Sequence, residues 1–209
     1  MEGLVLVNKS KGMTSHDVVD AVRRVTGVKK VGHAGTLDPN ATGLLIVGVG
    51  RKATRKLGEI SKNTKKTYKA EIMLGAVSDT DDAEGRILSK KEIMKLPYEE
   101  IKKTLEKFVG EQMQIPPDYS AIKLRGKKAY ELARKGEKVK LEPRKVTVFS
   151  IKLLEYKYPI LKFECEVSSG TYIRSLARDI GGKLGAGAYL RNLKRTRVGK
   201  YRLEDAIEL

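Results

Sequence analysis

Residues 160–167 read ILKFECEV, and their alternation constrains the fold more than any other feature of the chain. Leu161, Phe163, Cys165 and Val167 fall on one face, while Lys162, Glu164 and Glu166 fall on the other. A period of two with one apolar and one charged face is what a half-buried antiparallel strand requires. KVTVFSIKLLEY at 145–156 supplies a second strand, and the short KYP link joins the two as a hairpin. Apolar runs at 3–8, 44–50 and 66–76 add three further strands.

Helical spacing separates these strands without alternating regularly with them. Thr14 or Ser15 can N-cap a helix whose stripe is Val18, Val22 and Val25, with Gly27 ending it. RKATRKLGEI at 51–60 reads as a short basic helix or turn, and 98–108 as a helix with Ile101, Leu105 and Phe108 in register. SSGTYIRSLARDIGGKLG starts a helix at a glycine, and Ile173, Leu176, Ile180 and Leu184 form its buried stripe. The expected class is α+β, a mixed, mainly antiparallel central sheet with flanking helices. One domain is expected over 1–209, with residues 112–143 as an insertion or flap.

Charge narrows the partner. Forty-three Lys+Arg against 26 Asp+Glu leave a formal +17, the electrostatic footprint of a polyanion-binding surface. Heat adaptation accounts for abundant lysine and glutamate but not for an excess of one sign. The longest apolar runs are too short to cross a bilayer, so no membrane partner is expected. Cys165 is the lone cysteine, which excludes an intramolecular disulfide and fits a reducing cytoplasm. Two histidines and one cysteine cannot close a zinc site unaided. SDTDDAEG at 78–85 lacks the spacing of a calcium loop and reads as a turn. No metal and no cofactor are expected.

Within this basic chain, VGHAGTLDPNATGLLIVGVG at 31–50 holds an acid, Asp38, directly before a proline and between Gly35 and Gly43. The proline pushes Asp38 towards extended geometry, and the glycines permit backbone angles that other residues avoid. An arbitrary Asp-Pro is an ordinary turn, and His33 is by itself an ordinary structural histidine. A free carboxylate repels phosphate, however, so a stiff loop presenting one to a nucleic acid calls for a reactive role and a cationic partner. Arg174, in the first turns of a helix, is of the type that grips a carboxylate bidentately. The spacing alone leaves open whether it does so or instead meets a phosphate. Tyr68, Tyr119, Tyr172 and Tyr189 stand near basic residues, the arrangement in which bases are stacked. Gly48, Gly50 and Ala53, with Glu71 beyond them, match a dinucleotide fingerprint. That fingerprint needs parallel strands to continue, and the later hairpin does not provide them, so these glycines read as a tight strand exit.

Taken together, GLVLVNKSKGMTSHDVV, GHAGTLDPNATGLLIVGVGRKATR, KTYKAEIMLGAVSDTDDAEG, QIPPDYSAIKLRGKKAYELARKG and SSGTYIRSLARDIGGKLGAGAYLRNLKRTRVG resemble, in chain order, the motifs of the TruB family of tRNA pseudouridine synthases. The resemblance implies that Asp38 is the catalytic aspartate, that Tyr68 stacks on the target base and that Arg174 pairs with Asp38. It sets Leu190 in the uracil pocket and His33 in the tRNA loop, with Tyr172 and Lys9 also on the substrate side. Ser10 follows Lys9 where the family usually has a proline, which leaves that turn less rigid. The implied reaction breaks the C1′–N1 bond of a T-loop uridine, turns the uracil over and rejoins it through C5, with no change of oxidation state. Asp38 acts in it as nucleophile or as base, and both roles stay open. The resemblance implies a cytoplasmic monomer acting on the T-arm of tRNA, with 112–143 as a thumb-like insertion. Family members usually carry a C-terminal RNA-binding (PUA) domain, and none is expected within the sequence up to LEDAIEL. The alternatives are a guide-RNA-dependent relative and a tRNA chaperone whose folding activity outweighs its chemistry.

Overall fold

The computed structural model describes residues 2–90, 95–124, 126–137 and 139–209. In chain order the elements are β1 (Gly3–Lys9), α1 (Ser15–Thr26), β2 (Val31–Ala34), β3 (Thr42–Val49), α2 (Arg51–Lys62), β4 (Lys66–Leu74), β5 (Ala76–Ser78) and β6 (Ile87–Lys90). There follow α3 (Tyr98–Glu106), β7 (Gly110–Gln114), β8 (Lys123–Leu124), β9 (Lys127–Lys128) and α4 (Ala129–Ala133). The chain continues through β10 (Arg144–Lys157), β11 (Ile160–Val167), α5 (Ile173–Lys183), β12 (Ala188–Val198) and β13 (Tyr201–Arg202). Contacts divide it into two compact units, residues 1–70, 164–170 and 192–209 in the first, and 71–163 and 171–191 in the second. Strands β4, β11 and β12 contribute residues to both.

In the first unit the strand order is β1-β3-β12-β4-β11. Strand β3 is its centre, and it pairs antiparallel with β1 from Gly3↔Val49 to Lys9↔Gly43. The other edge of β3 is shared. Strand β2 takes Ile46 to Val49 antiparallel, and β12 takes Thr42 and Gly43 parallel. Leu45, Val47 and Val49 pack with Val18, Val19 and Val22 of α1, while Leu44 and Ile46 pack with Leu57 of α2 and Val198. A strand covered on both faces needs a continuous apolar run, which is why LLIV does not alternate. Each such side chain contributes roughly 1.5–3 kcal/mol on burial.

Helix α1 starts and ends as the sequence allows, with Gly27 as its left-handed C-cap. Thr14 caps it, accepting from Asp17 N–H at 3.1 Å while the Asp17 carboxylate accepts from Thr14 N–H at 2.7 Å. Those bonds hold the Asp17 carboxyl below its ordinary value. The expected stripe is corrected at one position: Val25, in the last turn of the helix, is 83% exposed, and the buried face is Val18, Val19 and Val22. RKATRKLGEI is a true helix, with Ala53 and Leu57 inward and Arg51, Lys52, Arg55 and Lys56 exposed.

In the second unit the order is β12-β4-β11-β10-β7. Strand β7 pairs antiparallel with β10 from Arg144↔Gln114 to Val148↔Gly110, so the segment expected to open the insertion at 112 begins inside a strand. The remainder of 112–143 holds the β8–β9 pair and α4, with Arg125 and Lys138 outside the described residues. The stripe of α5 is buried as expected, from Ile173 to Leu184. Ile101 and Leu105 anchor α3, whereas Phe108 lies past its end and is half-buried. SDTDDAEG is the turn between β5 and β6, where Asp79 accepts from Arg86 N–H and Asp82 accepts from Glu84 N–H. Among the described residues, no helix is long and apolar enough to cross a membrane.

Candidate active site

The chain leaves β2 at Ala34 and enters β3 at Thr42, and the intervening loop carries Asp38. Gly35 (φ 78°) and Gly43 (φ 98°) bracket it in conformations that favour glycine. Inside the bracket, hydrogen bonds fix the backbone on both sides of Asp38. Ser15 Oγ donates to Leu37 O at 3.0 Å and accepts from Leu37 N–H at 2.9 Å. Asp38 O accepts from Ala41 N–H at 3.0 Å, and Pro39 O accepts from Gly12 N–H at 2.9 Å. Leu37 and Ala41 are buried, and Asp38 itself is half-buried.

Lys9 explains how the turn at 10–13 stays ordered without a proline. Its ammonium, fully buried, donates to Met13 O at 2.6 Å, Ser10 O at 3.0 Å and Pro39 O at 3.1 Å. Three carbonyls for three N–H groups offset the loss of hydration. One of them belongs to the residue after Asp38, so Lys9 bears on the acid through the backbone.

Two more cations lie inside the first unit. Arg195, 1% exposed, donates from Nε to Leu44 O at 2.8 Å and from Nη2 to Gly35 O at 2.9 Å. Lys66, also buried, donates to Ser61 O at 2.9 Å and Thr64 O at 3.1 Å. Burial, reinforced by the charge of Arg195, pushes the Lys66 ammonium down to about 8. His33 on β2 is half-buried, and its Nδ1 is buried with no hydrogen-bond partner among the described residues. Burial, then the charges of Arg195 and His16, holds that imidazole below its ordinary value. Tyr68 sits on β4 with 7% exposure.

The second unit brings together three other residues singled out by sequence. Arg174, 7% exposed at the start of α5, donates to Thr80 O at 3.2 Å and Tyr119 O at 3.0 Å and lies 3.5 Å from the Asp82 carboxylate. Leu190 is buried, and its N–H donates to Asp81 O at 2.9 Å. Tyr172 is half-buried, its N–H held by Gln114 Oε1 at 2.9 Å and its carbonyl by Gln114 Nε2 at 3.1 Å. Arg178, one turn after Arg174, pairs with Asp81 at 2.7 Å and donates to Ile115 O at 2.9 Å.

Sequence reasoning passed over Ser15, Arg195 and Asp82. Ser15 reads only as an alternative helix cap, Arg195 only as part of the last motif, and Asp82 only as part of an acidic turn. The Gly48–Gly50–Ala53 match is a strand exit. A Cβ on Gly48 would press on Ala53 and Leu57, and one on Gly50 would collide with the Glu2 carboxyl at the start of α2. A phosphate would need that position. Glu71 pairs with Arg191 at 3.1 Å. Cys165 is buried, and burial pushes its thiol up to about 12, so it stays protonated. Among the described residues no group of three or more His, Cys, Asp and Glu side chains is placed to hold a metal.

Known proteins match the chain over its length. The N-terminal domain profile of the TruB family pseudouridylate synthases covers residues 23–173, and the tRNA pseudouridylate synthase B C-terminal domain profile covers 174–209. A tRNA pseudouridine synthase B of Protochlamydia amoebophila is 49% identical over 207 residues, 99% of this chain and 78% of that protein. The Dehalococcoides mccartyi protein of the same name is 48% identical over 208 residues, 100% of this chain and 69% of its own length. Among solved structures, a chain of a Cbf5-Nop10-Gar1 complex superposes with a TM-score of 0.76 at 32% identity, covering 99% of this chain and 52% of that one. With a matched profile over most of its length and relatives at this identity, the chain belongs to the TruB family of pseudouridylate synthases.

Proposed function

We propose that the protein isomerises uridine to pseudouridine in tRNA, and that its target is the uridine at position 55 of the T-loop. The observation that carries this reading is the immobilised Asp38 loop, held on both sides of the acid in a chain with a formal charge of +17. A rigid carboxylate has no use in simple RNA binding and has one at a reacting base. Asp38 acts as nucleophile or base on the extruded uridine, with Arg174 as its cationic partner. Tyr68 stacks on the uracil, Leu190 and Tyr172 line the pocket, and His33 enters the tRNA loop. Lys9 serves the substrate by setting the loop that carries Asp38. Extruding the base costs unstacking energy, which stacking and hydrogen bonds in the pocket offset. The reaction moves a bond from N1 to C5 without changing oxidation state. The insertion at 112–143 acts as a thumb on the T-arm, and the enzyme works as a monomer in the cytoplasm.

The guide-RNA relatives are the second reading, favoured by the superposition on the Cbf5 chain. Identity favours the first, at 49% against 32%. Incubating the protein alone with an unmodified tRNA transcript separates the two. Pseudouridine is then mapped by primer extension after carbodiimide labelling. A stop at the T-loop uridine supports the stand-alone enzyme, and bound tRNA without product overturns it.

A further inference from the structure

Arg195 and Ser15 are buried polar side chains that the proposed chemistry does not use. Arg195 carries its charge into the interior and has no carboxylate partner among the described residues. An uncompensated buried guanidinium is costly, so its two acceptors indicate what it is retained for. They are the two ends of one loop. Gly35 is the first residue after β2, and Leu44 lies just inside β3.

Between them is a seam in the sheet. Along that edge of β3, β12 reaches Gly43 and β2 begins at Ile46, leaving residues 44 and 45 between the two pairings. Arg195 fills the gap. Its Nε satisfies Leu44 O, and its Nη2 reaches Gly35 O, where the chain departs from β2. A planar guanidinium with donors in a fixed fork suits this bridge, and lysine provides no such geometry.

Ser15 holds the middle of the same loop. Thr14 already caps α1, so the hydroxyl of the next residue is not needed for the helix. It engages both backbone groups of Leu37, the residue before Asp38.

We propose that Ser15 and Arg195 are positioning residues for Asp38, setting its place through the backbone of 35–44 without touching substrate. This rests on the reading of Asp38 as the catalytic aspartate. A misplacement of about 1 Å at a reacting group costs on the order of a hundredfold in rate, so a loop this closely held has a kinetic consequence.

The test uses the full chain with Ser15→Ala, Arg195→Met, Arg195→Lys and a destabilised control in the second unit, Ile101→Val. Single-turnover rate, tRNA affinity, Tm and amide exchange at Ala41 are measured for each. Ser15→Ala and Arg195→Met are expected to slow the chemical step by about tenfold or more, with affinity within about twofold, and to speed exchange of the Ala41 amide that bonds Asp38 O. Ile101→Val is expected to lower Tm and keep the rate within about twofold of wild type. Arg195→Lys is expected to recover less than the full rate, because one ammonium cannot reproduce the fork. Wild-type rates in Ser15→Ala and Arg195→Met overturn the proposal, as does a control that slows as much as they do. If Arg195→Met does not fold, Ser15→Ala decides. If the wild type makes no pseudouridine, the functional reading fails separately, and unchanged Ala41 exchange in Ser15→Ala still refutes the positioning.

Discussion

Arg174 Nη1 lies 3.5 Å from the carboxylate of Asp82, and the two side chains are only 8% and 14% exposed. Arg174, which we propose as the partner of Asp38, is therefore tethered within its own unit by the turn between β5 and β6. Removing one member of a buried pair leaves the other charge in a medium that solvates it poorly. Asp82→Asn is expected to cost about 2–3 kcal/mol in urea unfolding, less than a fully buried pair because carbonyls of Thr80 and Tyr119 remain. Turnover should fall by more than tRNA affinity. Unchanged stability would show that the Asp82 carboxylate is not what holds Arg174.

Asp38→Asn tests the acid with the loop preserved. The bonds at Leu37, Pro39 and Asp38 O involve backbone groups, and asparagine keeps them all. Turnover should vanish while tRNA binding, set by the positive surface, stays near wild type. Retained turnover would remove Asp38 from the chemistry.

How much of this was legible in the sequence depends on whether a residue acts through local pattern or through contacts distant in the chain. The alternation of ILKFECEV, the α5 stripe and the bracketing of Asp38 by glycines are local, and all three appear in the structure as read. Strand β2 is not legible because four residues, Val-Gly-His-Ala, carry too little periodicity, and its pairing partner β3 decides it. Val25 keeps the helical spacing of the stripe but is exposed, because spacing does not say how far along a helix its neighbours reach. Ser15 meets Leu37 across 22 residues, and Arg195 meets Gly35 across 160. No window of sequence holds either pair. The Gly48–Gly50 match shows the converse, a local pattern whose meaning is set by the neighbours that pack on it.

Lys66 gives the protein a pH dependence of a particular sign. Its ordinary value is 10.5, and in the fold it is pushed down to about 8. Between these values the unfolded chain keeps a proton that the folded chain has shed, so this group makes stability rise with pH across that interval. Below about 8 both forms are charged, and the whole burial cost is present. Subtracting the urea stability of Lys66→Met from that of wild type at each pH should leave a difference that climbs from pH 8 to 10.5. A flat difference would refute the assignment.

His33 acts at the other end of the scale. Burial and neighbouring positive charge lower its value from 6.5, so the unfolded chain takes up a proton first as pH falls through that point. The contribution of His33 to stability is therefore full above 6.5 and declines on acidification. Replacing it with glutamine should flatten the acid side of the stability profile, measured as Tm between neutral and mildly acidic pH. An unaltered acid limb would place the titrating groups elsewhere.

The two glycines that bracket Asp38 should not be equally replaceable. At Gly35 a Cβ would meet Arg195 Nη1 at 3.5 Å and Lys66 Cε at 3.8 Å, both ordinary contacts. Gly35→Ala then costs only its left-handed backbone, about 1–2 kcal/mol. At Gly43 a Cβ would collide with the Arg195 carbonyl oxygen and come within 2.9 Å of its backbone nitrogen. Backbone on both sides of a parallel pairing cannot step aside as a side chain can. Gly43→Ala should therefore cost about 3 kcal/mol or more, separating β12 from β3 and taking the Arg195 side chain away from Leu44 and Gly35. Urea unfolding of the two variants gives the ranking. If Gly35→Ala proved the more damaging, the close approach of β12 would not be what requires glycine at the foot of the Asp38 loop.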